Sequence, residues 1–192
     1  MGAHTPNKAD GILSAAAELF ATKPFHEVRL DDIAAAAHVG KGTVYLYWTS
    51  KEEVYLAIIR RGFKAVCERI ERELPGCHGF CWDEVHVIVA ALVDFAFAYP
   101  GVYRIMRMAT LTPEDPELQG MRNALADRVE RVLTAGVASG DVVDACPALT
   151  TQYLLSFVRG AALYPPAGLT PELLRDHLIN LLRRGLGPGA KA

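Results

Sequence analysis

Apolar residues recur along this chain three and four positions apart, and proline and glycine cut the pattern into discrete helical segments. From Lys8 to Thr22, Ile12, Leu13, Ala16, Ala17 and Phe20 share one face. Lys23-Pro24 ends that segment, because proline lacks the N–H a helix interior needs. A short helix is predicted from Leu30 to Ala37, with Asp31 and Asp32 in the first turn, where the helix dipole favours negative charge. His38-Val39-Gly40 reads as a turn and Lys41 to Tyr47 as a third short helix. After a bend at Trp48-Thr49, Ser50 caps a long helix, and Glu53 three residues on makes a capping box. Apolar Val54, Ile58, Val66 and Ile70 carry this helix to Glu73, about 34 Å at 1.5 Å per residue. Leu74-Pro75-Gly76 stops it.

Cys77 to Phe80 reads as loop, followed by helices predicted at Asp83–Ala98, Val102–Ala109, Pro116–Ala138, Thr150–Tyr164 and Pro171–Leu186. The breaks include Tyr99-Pro100-Gly101, Ser139-Gly140-Asp141, Pro147 and Pro165-Pro166-Ala167-Gly168. No run alternates as a half-buried strand would. The expected fold is all-α. Residues 1–50 form a three-helix N-terminal domain and residues 51–192 a larger helical bundle, joined by the long helix that Ser50 starts.

Composition narrows the function. With 192 residues, 51% hydrophobic and 22% charged, the chain can bury a core without staples. The longest apolar run, Val85 to Tyr99, is broken by His86 and Asp94 and is too short for a bilayer span. The start lacks the basic-then-apolar order of a secretory signal, so a cytoplasmic protein with no membrane partner is expected. Four cysteines do not make a disulfide scaffold in a chain this long. A net charge of −2 gives no bulk attraction to nucleic acid, so any DNA site must come from local placement.

Local placement is compatible with DNA, although two short helices with aromatics also fit a plain helical subdomain. Two short helices joined by a tight turn, the second held outward, form a helix-turn-helix, and a major groove about 12 Å wide admits one helix. Ile33, Ala34, Val39 and Val44 have the spacing to pin the second and third helices against Phe20 and Leu13. Lys41, Thr43, Tyr45 and Tyr47 are left on exposed faces. The stretch from Lys41 to Lys51 holds two lysines, two tyrosines and no acid, and Lys51 lies in a helix first turn, which also attracts anions.

These residues resemble a family. Ile12-Leu13-x-Ala15-Ala16-x-x-Leu19-Phe20 and Leu30-x-x-Ile33-Ala34-x-x-Ala37-x-Val39-x-Lys41-Gly42-Thr43-Val44-Tyr45-x-Tyr47-Trp48-x-Ser50-Lys51-Glu52 are similar to the DNA-binding domain of TetR-type transcriptional repressors. The resemblance implies that Lys41, Gly42, Thr43, Tyr45 and Tyr47 contact operator DNA, and that Lys51 and Arg29 meet phosphates. It departs at four places. Pro24 follows the first helix where glycine is usual, and Arg29 replaces threonine or serine. His38 takes the usual turn glycine, at a position tending to positive φ, and Gly40 replaces a serine cap.

Beyond about residue 60 the resemblance rests on helix count and on the ending from Leu169 to Leu186. It implies a homodimer on a palindromic operator, released by a small, apolar effector. Leu154, Val158 and Ala161, with Leu174, Leu178, Leu181 and Leu182, are assigned to the dimer seam, since their helices carry more apolar face than one contact needs. Phe95, Tyr99, Tyr103, Met106, Arg107, Gln152, Tyr153 and Phe157 are assigned to the effector pocket. Cys77-His78-x-x-Cys81 with His86 nearby offers an alternative, a metal- or thiol-sensing regulator, although the spacing is not that of a zinc finger. A helical small-molecule binder without DNA binding is the other rival. No cofactor or metal is expected. Gly40-Lys41-Gly42-Thr43 lacks the strand and first glycine of a phosphate loop, and no nucleophile context appears, so the chain is not read as an enzyme.

Overall fold

The fold is that of a computed structural model, which describes residues 8–77, 81–99 and 115–189, the side chain of residue 81 excepted. Among these residues every element is helical. They are α1 (Lys8–Thr22), α2 (Leu30–Ala36), α3 (Lys41–Tyr45), α4 (Lys51–Glu73), α5 (Cys81–Ala98), α6 (Pro116–Ser139), α7 (Pro147–Leu163) and α8 (Pro171–Leu186), with 3-10 turns at Phe25–Glu27 and Leu74–Gly76. The helix predicted at Val102–Ala109 lies outside the described residues.

Three boundaries are corrected: α3 ends at Tyr45, not Tyr47, α5 begins at Cys81, not Asp83, and α7 begins at Pro147, not Thr150. Pro147 was expected to break the chain but opens α7 as its first residue. That position needs no N–H donor, and the fixed φ of proline suits it. At α8 the same device operates, with Thr170 as cap: its Oγ1 accepts the Leu173 N–H at 3.2 Å and Pro171 follows.

The chain divides into two compact units, one drawn from Met1–Gly62 and Tyr99–Leu118, the other from Phe63–Ala98 and Gln119–Ala192. α4 runs through the boundary, with residues in both. In the first unit α1 packs on α2 and α2 on α3. Its core holds Ile12, Leu13, Ala16, Phe20, Val28, Ile33, Ala34 and Val44, with Val54, Tyr55, Ile58 and Ile59 from α4. Each buried Val, Leu or Ile among them contributes about 1.5–3 kcal/mol. Phe20, Phe25 and Tyr55 close one side as a ring cluster, with centroids 5.2–5.9 Å apart. Arg61 ties α4 to α1 through the Asp10 carbonyl at 3.0 Å.

In the second unit α5 is central. It buries Val85, Ile88, Val89, Leu92 and Val93 and packs on α7 and α8. Its one charge within that run, Asp94, accepts from Arg69 of α4 at 2.9 Å and Arg175 of α8 at 2.7 Å, joining three helices at one carboxylate. The segment after α6 is tied down by Val143 N–H to Leu186 O at 2.6 Å and by Trp82 Nε1–H to Asp141 O at 3.1 Å. Among the described residues no helix is long and apolar enough to cross a membrane.

Candidate nucleic-acid interface

α3 is aimed by the turn before it. The His38 N–H donates to Ala35 O at 3.1 Å and the Val39 N–H to Ala34 O at 3.0 Å, the paired bonds of a Schellman ending to α2. His38 takes φ 54°, the left-handed value expected there, and is the one non-glycine residue with positive φ among the described residues. Gly40 then starts α3 in extended conformation, φ −67° and ψ 146°, with no side-chain cap.

The sides of α3 follow from one buried residue. Val44 is 0% exposed and anchors the helix to its unit. Successive residues turn by about 100°, so Gly42 and Leu46 lie about 160° from Val44, on the ridge farthest from the core. The Leu46 N–H donates to Gly42 O at 3.1 Å, so helical geometry holds through that ridge. Lys41 and Tyr45 flank it on one side, Thr43 and Tyr47 on the other. Tyr45 and Tyr47 are each 45% exposed, Leu46 is 83% exposed, Lys41 and Gly42 are exposed and Thr43 is half-buried. The four residues predicted to face outward, Lys41, Thr43, Tyr45 and Tyr47, thus lie beside the exposed Gly42 on one surface, Thr43 half-buried. Leu46 was missed: an apolar residue between two tyrosines reads as core, and only its i+4 relation to Gly42 signals otherwise.

The predicted phosphate-binding residues are placed differently from one another. Arg29, the cap residue of α2, is exposed, and its backbone N–H donates to Asp32 Oδ2 at 2.9 Å. Lys51 is half-buried. Its Nζ donates to Phe25 O at 2.8 Å and His26 O at 3.4 Å and lies 4.5 Å from the Phe25 ring centroid, bracing the 3-10 turn. An ammonium has three donors, so one is left for an outside acceptor. At the start of α4, Ser50 Oγ accepts the Glu53 N–H at 3.2 Å. Glu53 reaches Thr49 N–H at 2.6 Å, one residue earlier than a capping box requires, and that bond holds its carboxyl below the usual range. Arg29, Asp31, Lys41, Tyr45, Lys51 and their neighbours His26, Val28 and Leu30 enclose an open notch of about 230 Å³ beside α3. Three of those side chains are cationic, and Asp31 is the carboxylate among them.

Comparison with known proteins agrees with this geometry. The family model of bacterial regulatory proteins of the tetR family matches residues 12–58, which run from α1 into α4. The HTH-type transcriptional regulator RutR of Escherichia coli K12 is 43% identical over 192 residues, covering 92% of this chain and 87% of that protein. The chain belongs to the tetR family. Its fold matches that of a tetR-family regulatory protein from Rhodococcus RHA1 with a TM-score of 0.82 at 21% identity, over 95% of this chain and 98% of that one. It also matches AibR, solved with isovaleryl coenzyme A and operator DNA, with a TM-score of 0.77 at 20% identity, over 92% and 98%.

In this tetR-family chain the sides of α7 are the reverse of those expected. Leu154 and Val158, assigned to a dimer seam, are buried in their own unit, as are Leu174 and Leu178 of α8. They are core, because their stripe of the helix turns inward with Thr151. Tyr153 and Phe157, assigned to a pocket, are 56% and 53% exposed and share an outward stripe with Leu149 and Tyr164. Leu181 is exposed on α8, whereas Ala161 and Leu182 are half-buried. Of the remaining pocket assignments, Phe95 is half-buried, Tyr99 and Gln152 are exposed, and Tyr103, Met106 and Arg107 lie outside the described residues. Among the described residues no group of three His, Cys, Asp or Glu side chains is placed to hold a metal. Burial pushes the Cys77 thiol up, as do the carboxylates of Glu84 and Asp83, opposite to what a reactive thiolate needs. His78 and the side chain of Cys81 lie outside the described residues.

Proposed function

We propose that this protein is a ligand-responsive transcriptional repressor that binds a palindromic operator as a homodimer and is released by a small, predominantly apolar effector. The observation that carries the reading is the outward ridge of α3. The five-residue α3 and the turn after it, anchored by Val44, present a glycine, an exposed leucine, a lysine and two half-exposed tyrosines. Such a surface has hydroxyls and an apolar contact for base edges and cations for phosphates. Lys41, Gly42, Thr43, Tyr45 and Tyr47 read the groove, joined by Leu46. Arg29 and the third N–H of Lys51 hold phosphates. DNA binding is assigned to residues 1–50, effector binding and dimerisation to residues 51–192, and the site of action is the cytoplasm.

The outward stripe of α7, together with Leu181, Leu182 and Ala161, supplies the dimer seam. Large exposed apolar side chains in a stripe mark a partner, and a twofold axis then presents two reader helices to a palindrome. Coupling to the effector runs through Arg60 of α4, which pairs with Asp115 and with Glu117 at 2.9 Å. Asp115 in turn caps α6 by accepting the Glu117 and Leu118 N–H groups, each at 3.0 Å. AibR, solved with isovaleryl coenzyme A and operator DNA, makes acyl-coenzyme A thioesters one effector class to try.

Fluorescence anisotropy with duplexes from the DNA upstream of this gene tests the reading. Sequence-selective binding with a stoichiometry of two chains per inverted repeat is expected. Equal affinity for the upstream duplexes and an unrelated one would overturn it, and a carrier without DNA function would bind neither.

A further inference from the structure

Resting on the DNA-binding reading above, we propose that Asp31 sets the discrimination between operator and random DNA by occupying the Lys41 ammonium. Lys41 Nζ lies 2.8 Å from Asp31 Oδ1 and 3.0 Å from Oδ2, so both carboxylate oxygens engage one cation. The pair joins the first turn of α2 to the first residue of α3 and forms one wall of the notch beside the reader helix.

This pair is not placed to hold the fold together. Its side chains are 45% and 59% exposed, and exposed pairs add little to stability. The hydrogen bond that Lys41 donates to the Asp31 carboxylate raises the Lys41 pKa, so the ammonium stays charged while its charge is locally cancelled. Random DNA is held by charge alone, through phosphates that displace counterions. A lysine already paired to an internal carboxylate offers a phosphate little, because the carboxylate must be displaced or left facing the polyanion. Asp31 thus removes one unit of the attraction that every sequence shares. On the operator, base contacts from the α3 ridge remain, and the carboxylate keeps the Lys41 stem beside Tyr45, whose ring centroid is 5.8 Å from Nζ. Indiscriminate attraction is lowered more than selective contact.

The test is Asp31→Asn in the full-length protein, alone and with Lys41→Gln, measured by anisotropy against an upstream duplex and a random duplex across a salt series. Asp31→Asn is expected to tighten random-duplex binding about five- to tenfold and to steepen its salt dependence by about 0.9 log units per log of salt, one added phosphate contact. The operator-to-random ratio falls several-fold. In the Lys41→Gln background the gain shrinks to less than half. Unchanged random-duplex affinity and slope in Asp31→Asn would overturn the inference. An equal gain in both backgrounds would also overturn it, because Asp31 would then act as a surface charge and not through Lys41. These failures leave the wild-type preference for the upstream duplex intact; loss of that preference in the wild type would instead remove the DNA-binding reading itself.

Discussion

Gly42→Ala sets stability and DNA affinity against each other. Position 42 is exposed, and a Cβ built there meets no atom within 4 Å, so the free protein accepts the methyl without strain. Alanine is favoured over glycine in a helix interior by about 0.5–1 kcal/mol, and the lower figure suits the second residue of so short a helix. For a chain of this size about 0.5 kcal/mol raises Tm by roughly 1–2 °C. On DNA the balance reverses. Gly42 lies on the ridge opposite Val44, where a side chain would separate the helix from the groove. A tenfold loss of operator affinity, about 1.4 kcal/mol, is the expected minimum. Gly11→Ala is the control: it is exposed in α1, is equally open to a Cβ and lies on another helix, so it should stabilise without touching affinity. Melting followed by circular dichroism and anisotropy at fixed salt read the two effects. If Gly42→Ala bound operator as tightly as the wild type, the ridge would not be the surface that docks.

Other expected outcomes are as direct. His38→Gly relieves a left-handed residue and should add about 1 kcal/mol of stability, read as a higher urea midpoint, whereas a loss would mean that the histidine side chain holds the turn. Phe157→Glu should give monomers by light scattering with helicity retained, while Leu154→Ala should cost about 2–5 kcal/mol of stability without changing association; the opposite pattern would restore the sides first expected of α7. Burial raises the Asp94 carboxyl, but hydrogen bonds from Arg69 and Arg175 outweigh it and leave the group below its ordinary 3.8. The stability it adds is present above about pH 4 and lost as the pH falls through the lower folded value, so Asp94→Asn should flatten the fall of Tm below about pH 4. An unchanged acid limb would show that the three-helix junction contributes nothing.

Elements bounded by proline, glycine or a polar cap were legible in the sequence. α1 and α8 begin and end where Lys8, Thr22, Thr170-Pro171 and Leu186 place them, because those signals act within one turn. Pro147 misled because proline both breaks helices and opens them, and which it does depends on the φ and ψ of Cys146 before it. The sides of α7 were not legible. The helix carries two apolar stripes, Leu154-Val158 and Tyr153-Phe157, and local periodicity cannot say which one α5 covers. At the reader head, spacing predicted the outward residues, but the carbonyls of Phe25 and His26 that take Lys51, and the carboxylate that takes Lys41, come from 10 to 26 positions away. Partners at that range are set by how the helices pack.

Two copies of the α3 ridge are proposed to read one inverted repeat. Selection of bound duplexes from a random-sequence library by the purified protein, followed by sequencing, tests it most directly. Enrichment of a single palindromic motif is expected, with half-site centres about 10 base pairs, or a multiple of that, apart. Recovery of no motif, or of one unrepeated element, would contradict it.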